Sequence, residues 1–192
     1  MTTPLLDQMF NSGRTHSYWQ AKPVDLALLE QAWNLAVMGP TSANCLPMRV
    51  LFVTSAQAKE QLRPCLAPGN VDKTMAAPVT AVIAQDMAFY EQLGRLFPHA
   101  DAKSWFVGND SLINATAMRN SSLQGGYFIM ALRALGLDCG PMSGFDAALL
   151  DQTLLSGTGW RSNFLLNIGY GDATKLHPRN PRLGFAEGCK IL

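Results

Sequence analysis

The segment Gly39-Pro40-Thr41-Ser42-Ala43-Asn44-Cys45-Leu46-Pro47 constrains the fold more than any other part of the chain. It follows an amphipathic run and precedes the strand-like run Met48-Arg49-Val50-Leu51-Phe52-Val53. Proline fixes its own φ and biases the preceding residue away from helix, so Pro40 and Pro47 make this connection a stiff loop. Two hydroxyls and one carboxamide lie between them. A carboxamide offers two donors and one acceptor, and can read a heterocycle edge carrying both carbonyl and N–H groups. The same residues can also serve as a helix stop, with Ser42 and Asn44 as caps.

Helix and strand signals alternate irregularly around this loop. Asp25 opens a helix in which Leu28, Leu29, Ala32, Trp33, Leu35 and Ala36 recur at helical spacing until Gly39-Pro40 stops it. Arg49 to Thr54 reads as a strand, and Ser55 caps a short helix to about Leu62. Val79 to Ala84 reads as a buried strand, and the aromatic stretch from Phe89 to Gly108 as short helices and loops. The longest helix is expected over Ser111 to Leu135. Its buried positions are expected to include Leu112, Ala115, Met118, Leu123, Tyr127, Met130 and Ala134. Gly125-Gly126 lies inside it at a cost of roughly 1 kcal/mol per glycine, which close approach of another backbone would explain. A short strand at Leu137–Met142, a helix at Asp146–Leu155, a strand at Asn163–Tyr170 and an irregular tail complete the reading.

No regular βαβ repeat, GxGxxG turn or GxxxxGK[ST] loop occurs, so neither a standard dinucleotide domain nor a P-loop is supported. With 192 residues and 48% hydrophobic content, the expectation is one α+β domain spanning residues 1–192. A formal net charge of +1 argues against nucleic-acid and anionic-membrane binding. Cys45, Cys65, Cys139 and Cys189 form no CxxC pair and no ligand cluster with histidine, so no metal is expected. Scattered thiols, the lack of a basic-then-apolar leader at Met1 to Asp7 and the lack of a membrane-length apolar run together predict a cytoplasmic protein.

Four further polar segments stand out. Gly13-Arg14-Thr15-His16-Ser17-Tyr18-Trp19 places a guanidinium, a hydroxyl and an imidazole side by side, and the planar fork of arginine suits phosphate. Gly140-Pro141-Met142-Ser143-Gly144-Phe145-Asp146 joins a strand to a helix, with Ser143 or Asp146 as its N-cap. Lys175, Arg179 and Arg182 make the tail basic, and Asn70-Val71-Asp72-Lys73 follows the turn Pro68-Gly69. Taken singly, Arg14 and the basic tail read as solvated surface, Asn70 to Lys73 as a capped turn, and the Gly140 segment as an ordinary strand–helix turn.

In this order the segments resemble the nitroreductase family of flavin mononucleotide (FMN) enzymes. Arg14-Thr15-His16, Gly39 to Cys45, Arg119-Asn120-Ser121-Ser122, Gly140 to Asp146 and Asn167-Ile168-Gly169-Tyr170-Gly171-Asp172 look like one subgroup of it. That subgroup contains the malonic semialdehyde reductases of pyrimidine breakdown, also called 3-hydroxypropanoate dehydrogenases. The resemblance implies a central, mostly antiparallel sheet flanked by helices in an intertwined homodimer, with FMN at the subunit interface. It implies that Arg14 and Arg182 hold the FMN phosphate, with Thr15 and His16 along the path to the ring. Pro40, Thr41, Ser42 and Asn44 would come from the other subunit.

By the same resemblance Asn70 and Lys73 would face the pyrimidine edge of the flavin. Pro141, Met142, Ser143 and Gly144 would lie against the ring, with a backbone N–H near Ser143 reaching N5. The implied activity is hydride transfer from NADH or NADPH through flavin N5 to a small acceptor, malonic semialdehyde or a nitroaromatic or quinone, with no covalent nucleophile; the alternative is a non-catalytic flavin-binding protein. Tyr18 and Asn180 depart from the family pattern, standing where many members carry basic residues. For a carboxylated acceptor, Arg49, Arg119 and Arg161 are all conceivable partners, and Phe89 to Phe106 can form either a lid or peripheral core.

Overall fold

The computed structural model describes residues 3–192; Met1 and Thr2 of the leader reading lie outside the described residues. Capping side chains start the helices where the sequence places them. Asp25 accepts from Ala27 N ahead of helix α1 (Leu26–Ala36), and Ser55 accepts from Ala58 N ahead of helix α2 (Ala56–Leu62). Between them runs strand β1 (Met48–Val53). Helix α3 (Val71–Ala76) leads into strand β2 (Val79–Asp86), and the long helix α4 (Asp110–Ala134) into strand β3 (Asp138–Met142). Helix α5 (Ala147–Leu154) is capped by Asp146, whose carboxylate accepts from Leu149 N, and strand β4 (Trp160–Gly169) follows. Ser143 therefore is not that helix's cap. The last strand begins three residues before its predicted start.

The four strands form one antiparallel sheet in the order β1-β2-β4-β3. Strand β2 is central and buried on both faces, so its side chains divide by alternation. Val79, Ala81 and Ile83 pack with Leu29, Ala32, Phe128 and Leu132 of helices α1 and α4. Val82 and Ala84 pack with Leu62 and Leu150 of helices α2 and α5 on the other side. A smaller cluster forms away from the sheet, where Phe89 and Phe106 meet edge to face among Cys45, Leu93 and Ala117. Those two rings are core. Trp105, half-exposed, stands at its rim.

Helix α4 corrects the sequence reading. Leu112, Met118, Leu123 and Tyr127 are 39–46% exposed, Ala115 is exposed, and Met130 and Ala134 are only half-buried. The inward face instead carries Asn120, Ser121 and Gln124 beside Ile113, Ala117, Phe128 and Leu132. Periodicity told which residues share a face and not which face the sheet takes. Gly125 is forced by close approach, though of a side chain: a Cβ there would stand 2.6 Å from Phe164 Cζ. Gly126 meets nothing within 4 Å.

Candidate functional site

The edge of the sheet at β3 is where the polar segments gather. Thr15 bridges Cys139 in parallel, His16 N donates to Cys139 O at 3.0 Å, and Gln20 N donates to Tyr170 O at 2.8 Å. The stretch from Arg14 to Gln20 is thereby laid between strand β3 and the end of strand β4. Beside it opens a cavity of about 380 Å3 lined by Arg14, Thr15, His16 and the tail residues Lys175, Arg179 and Arg182. A second cavity of about 480 Å3, lined by Gly69, Asp72 and Lys73, shares Ser17, Tyr18 and Asp172 with the first. Two predicted phosphate residues and Lys73 therefore border one continuous cleft.

One end of this cleft is cationic. Arg14, Lys175, Arg179 and Arg182 face one carboxylate, Asp172, whose pKa is lowered by the hydroxyl and backbone N–H of Thr174. Backbone carbonyls hold three of these cations in place. Arg14 donates to His177 O at 2.5 Å, Arg179 to Asn11 O and Gly13 O, and Arg182 to Asn180 O and Pro181 O. A guanidinium carries five N–H donors, so anchoring some leaves others to point at an anion. His16 is 5% exposed; its Nε2 lies 3.4 Å from Asp138 Oδ1, and its Nδ1 is buried without a partner. Gly171 is the residue that admits the ring, because a Cβ there would overlap the imidazole.

Asn70 follows Gly69, which lines the second cavity, and its side chain is turned to a protein partner. Its Nδ2 donates to Gly144 O at 2.7 Å, which ties the residues after Pro68-Gly69 to the turn Pro141-Met142-Ser143-Gly144. Ala67 N reaches the same carbonyl at 3.1 Å, and Leu66 bridges Phe145. The amide thus braces the turn. Lys73 is anchored by its carbonyl, which accepts from Trp19 Nε1 at 3.0 Å and Asn167 Nδ2 at 3.4 Å.

Pro40, Thr41, Ser42 and Asn44 are not brought to this cleft within one copy of the chain. Their loop precedes strand β1, at the other edge of the sheet, and three strand spacings put the edges roughly 14 Å apart. The loop is well anchored there. Ser42 N donates to Asn120 Oδ1 at 2.9 Å, Leu46 N to Thr41 Oγ1 at 3.2 Å, and Asn44 Nδ2 to Leu96 O at 2.9 Å. Ala43, Asn44 and Leu46 all hold positive φ, at 48°, 51° and 40°. Non-glycine residues in that region cost on the order of 1–3 kcal/mol each and cluster at ligand clamps.

Of the cations considered for an acceptor, Arg49 is paired with Asp86 at 2.5 Å and with the Leu46 and Met48 carbonyls, and Arg161 donates to Asn114. Arg119 is exposed. Burial pushes the Cys45 and Cys139 thiols up to about 11 and 12, far from thiolate reactivity. The sequence reading missed Lys59 and the inward carboxamide Gln124, which accepts from Met48 N at 2.9 Å; Asn120 entered it only within the Arg119–Ser122 motif. Lys59 precedes buried Leu62 by three positions on a short helix, a spacing that places both on one face.

On the exposed side of helix α4, Leu123, Tyr127 and Met130 meet Leu5, Met9 and Phe10 around an apolar groove of about 790 Å3. No helix among the described residues is long and apolar enough to cross a membrane. Among the described residues no three His, Cys, Asp or Glu side chains are grouped to hold a metal ion.

The nitroreductase family profile matches residues 14–170. A protein of Burkholderia lata, provisionally named NADH dehydrogenase/NAD(P)H nitroreductase, is 60% identical over 97% of this chain and 95% of its own length. A Ralstonia nicotianae protein of the same provisional name is 54% identical over 98% and 96%. Among solved structures, a provisionally named nitroreductase of Exiguobacterium sibiricum in complex with FMN superposes with a TM-score of 0.86. It is 18% identical and matches 100% of this chain and 99% of that one. One from Bacillus subtilis gives 0.84 at 19% identity, over 96% and 97%.

Proposed function

The chain belongs to the nitroreductase family, and on that premise we propose that it is an FMN-dependent NAD(P)H oxidoreductase working as a homodimer, each chain one FMN-binding domain. The cleft carries this reading. A cluster of anchored cations at one end and Lys73 at the other suit a ligand with a phosphate at one end and a polar ring at the other. The donor set fits FMN: guanidinium groups for the dianion, a hydroxyl at Thr15, and a carboxamide-braced turn at Pro141 to Gly144.

FMN, when bound, supplies the carrier that accepts two electrons from a reduced nicotinamide and passes them to the acceptor. The protein binds, orients and tunes. Arg14 and Arg182 neutralise the phosphate, with Lys175 adding to the field. Lys73, its backbone fixed by Trp19 and Asn167, presents a cation where negative charge accumulates on reduction. Gly144, held by Asn70, keeps the backbone near Ser143 against the ring. The high thiol pKa values of Cys45 and Cys139 agree with a mechanism that uses no covalent nucleophile.

The second copy completes the site. The strained loop bearing Pro40, Thr41, Ser42 and Asn44 lies at the far edge of the sheet, and the apolar groove on helix α4 offers a surface by which a partner could bring its own loop over the cleft. For the acceptor we propose malonic semialdehyde, reduced to 3-hydroxypropanoate, on the strength of the subgroup motifs around Arg14, Pro40 and Pro141. The test is a reoxidation screen of the NADH- or NADPH-reduced protein against malonic semialdehyde, nitrofurans, quinones and oxygen. Protein that stays colourless after incubation with FMN overturns the cofactor reading. Reoxidation by quinones but not by the aldehyde overturns the acceptor.

A further inference from the structure

Among the described residues, Lys59 is a buried cation that packing alone does not explain. It is 5% exposed, on helix α2, and no carboxylate lies within ion-pair distance among the described residues. Its Nζ donates to Thr74 O at 2.7 Å and to Thr80 Oγ1 at 2.6 Å. A charge buried without a counter-charge is expensive, and an apolar side chain of similar length would serve a core better. The acceptors show what the charge does. Thr74 is the residue after Lys73, near the carboxyl end of helix α3, where the last carbonyls lack intrahelical partners and carry partial negative charge.

From Thr80 the contacts run on across the sheet. Thr80 Oγ1 donates to Asn167 Oδ1 at 2.7 Å, and Asn167 Nδ2 returns to Thr74 Oγ1 at 3.2 Å and Lys73 O at 3.4 Å. Thr80 is paired with Asn167 across strands β2 and β4, and Asn167 with Gly140 on strand β3, next to the ring-facing turn. The loop of contacts closes on the two carbonyls that set the direction of Lys73.

We infer that Lys59 is a positioning residue: through Thr74, Thr80 and Asn167 it fixes the Lys73 backbone in the cleft and adds positive charge beneath it. The inference rests on the cofactor reading above. It requires that removing the Lys59 charge loosen helix α3 and make bound FMN harder to reduce, while the Arg14–Arg182 end stays intact.

The test compares wild type with Lys59→Met, which keeps the chain length and discards the charge. The first measurement is amide hydrogen exchange over residues 71–76 without added cofactor. About tenfold faster exchange is expected there, the scale of one lost hydrogen bond to a charged group, with no faster exchange in strand β2. The second is the midpoint potential of the FMN-loaded protein, expected to move to a more negative value. A role confined to core packing would leave both unchanged and raise the melting temperature, and that result overturns the inference. If Lys59→Met does not fold, Thr80→Val cuts the link to Asn167 and must show the same direction of change over residues 71–76; unchanged exchange there also overturns it. Wild-type protein that binds no FMN defeats the cofactor reading alone, because the exchange measurement still decides whether Lys59 holds helix α3.

Discussion

The cationic cleft and the apolar groove are both concave and open to solvent, and they are built in opposite ways. In the cleft, Arg14, Arg179 and Arg182 are each tied to backbone carbonyls, so its charges are set before a ligand arrives. Preorganised charge is what a small anion rewards. In the groove, Leu5, Phe10, Leu123 and Met130 have no polar group to satisfy and present apolar area alone. Area of that kind is rewarded by another apolar surface. On the proposed reading, the contrast separates recognition of a ligand from recognition of a second copy.

The largest effect should come from breaking the groove. Leu123→Asp puts a carboxylate in its centre and should weaken dimerisation by about 3 kcal/mol, the scale of an interface hot spot. Sedimentation should show a monomer that no longer retains FMN although its cleft residues are untouched. A dimer of unchanged stability would move the interface elsewhere. Arg182→Ala addresses the other side of the contrast. It should weaken FMN binding by about 1.5–3 kcal/mol, measured by flavin fluorescence, without altering the mass in solution. Unchanged affinity would remove Arg182 from the phosphate site.

Lys59 belongs to the interior between these surfaces, and its burial lowers its pKa to about 8 from 10.5. The folded state therefore releases the proton at lower pH than the unfolded state. Stability carries the full penalty below pH 8 and regains it as pH rises towards 10.5. Wild type should gain on the order of 3 kcal/mol relative to Lys59→Met over that range in urea titrations. The difference between the two proteins is the useful quantity, since buried Cys45 and Cys139, with raised thiol pKa values, act with opposite sign above about pH 9. The smallest effect is at Gly126, which borders the groove and meets nothing within 4 Å. In the Leu123→Asp background, Gly126→Ala should stabilise by about 0.5–1 kcal/mol through helix propensity. The melting temperature checks it, and a loss would reveal an unseen contact.

Local signals were legible wherever one side chain decides the outcome. Asp25, Ser55 and Asp146 each cap the helix that follows, and the apolar run Val79 to Ala84 is the buried centre of the sheet. The placing of Arg14, Arg182 and Lys73 on one cleft was legible through the ordered motifs. What periodicity could not reveal was direction. On helix α4 the more apolar stripe points outward, while Asn120 and Gln124 turn inward to hold the backbone at Ser42 and Met48. Asn70 was assigned to the flavin edge by the family resemblance alone, and only the fold shows Gly144 O within its reach. Lys59 was passed over because lysine is ordinarily a surface residue.

The contact from Arg14 to the His177 carbonyl joins residues 163 positions apart, and Arg179 reaches back over a similar span to Asn11 and Gly13. A nascent chain emerging from the ribosome has the first half of this clasp long before the second. The cleft therefore cannot assemble co-translationally on the amino-terminal portion; its completion must follow synthesis of the basic tail.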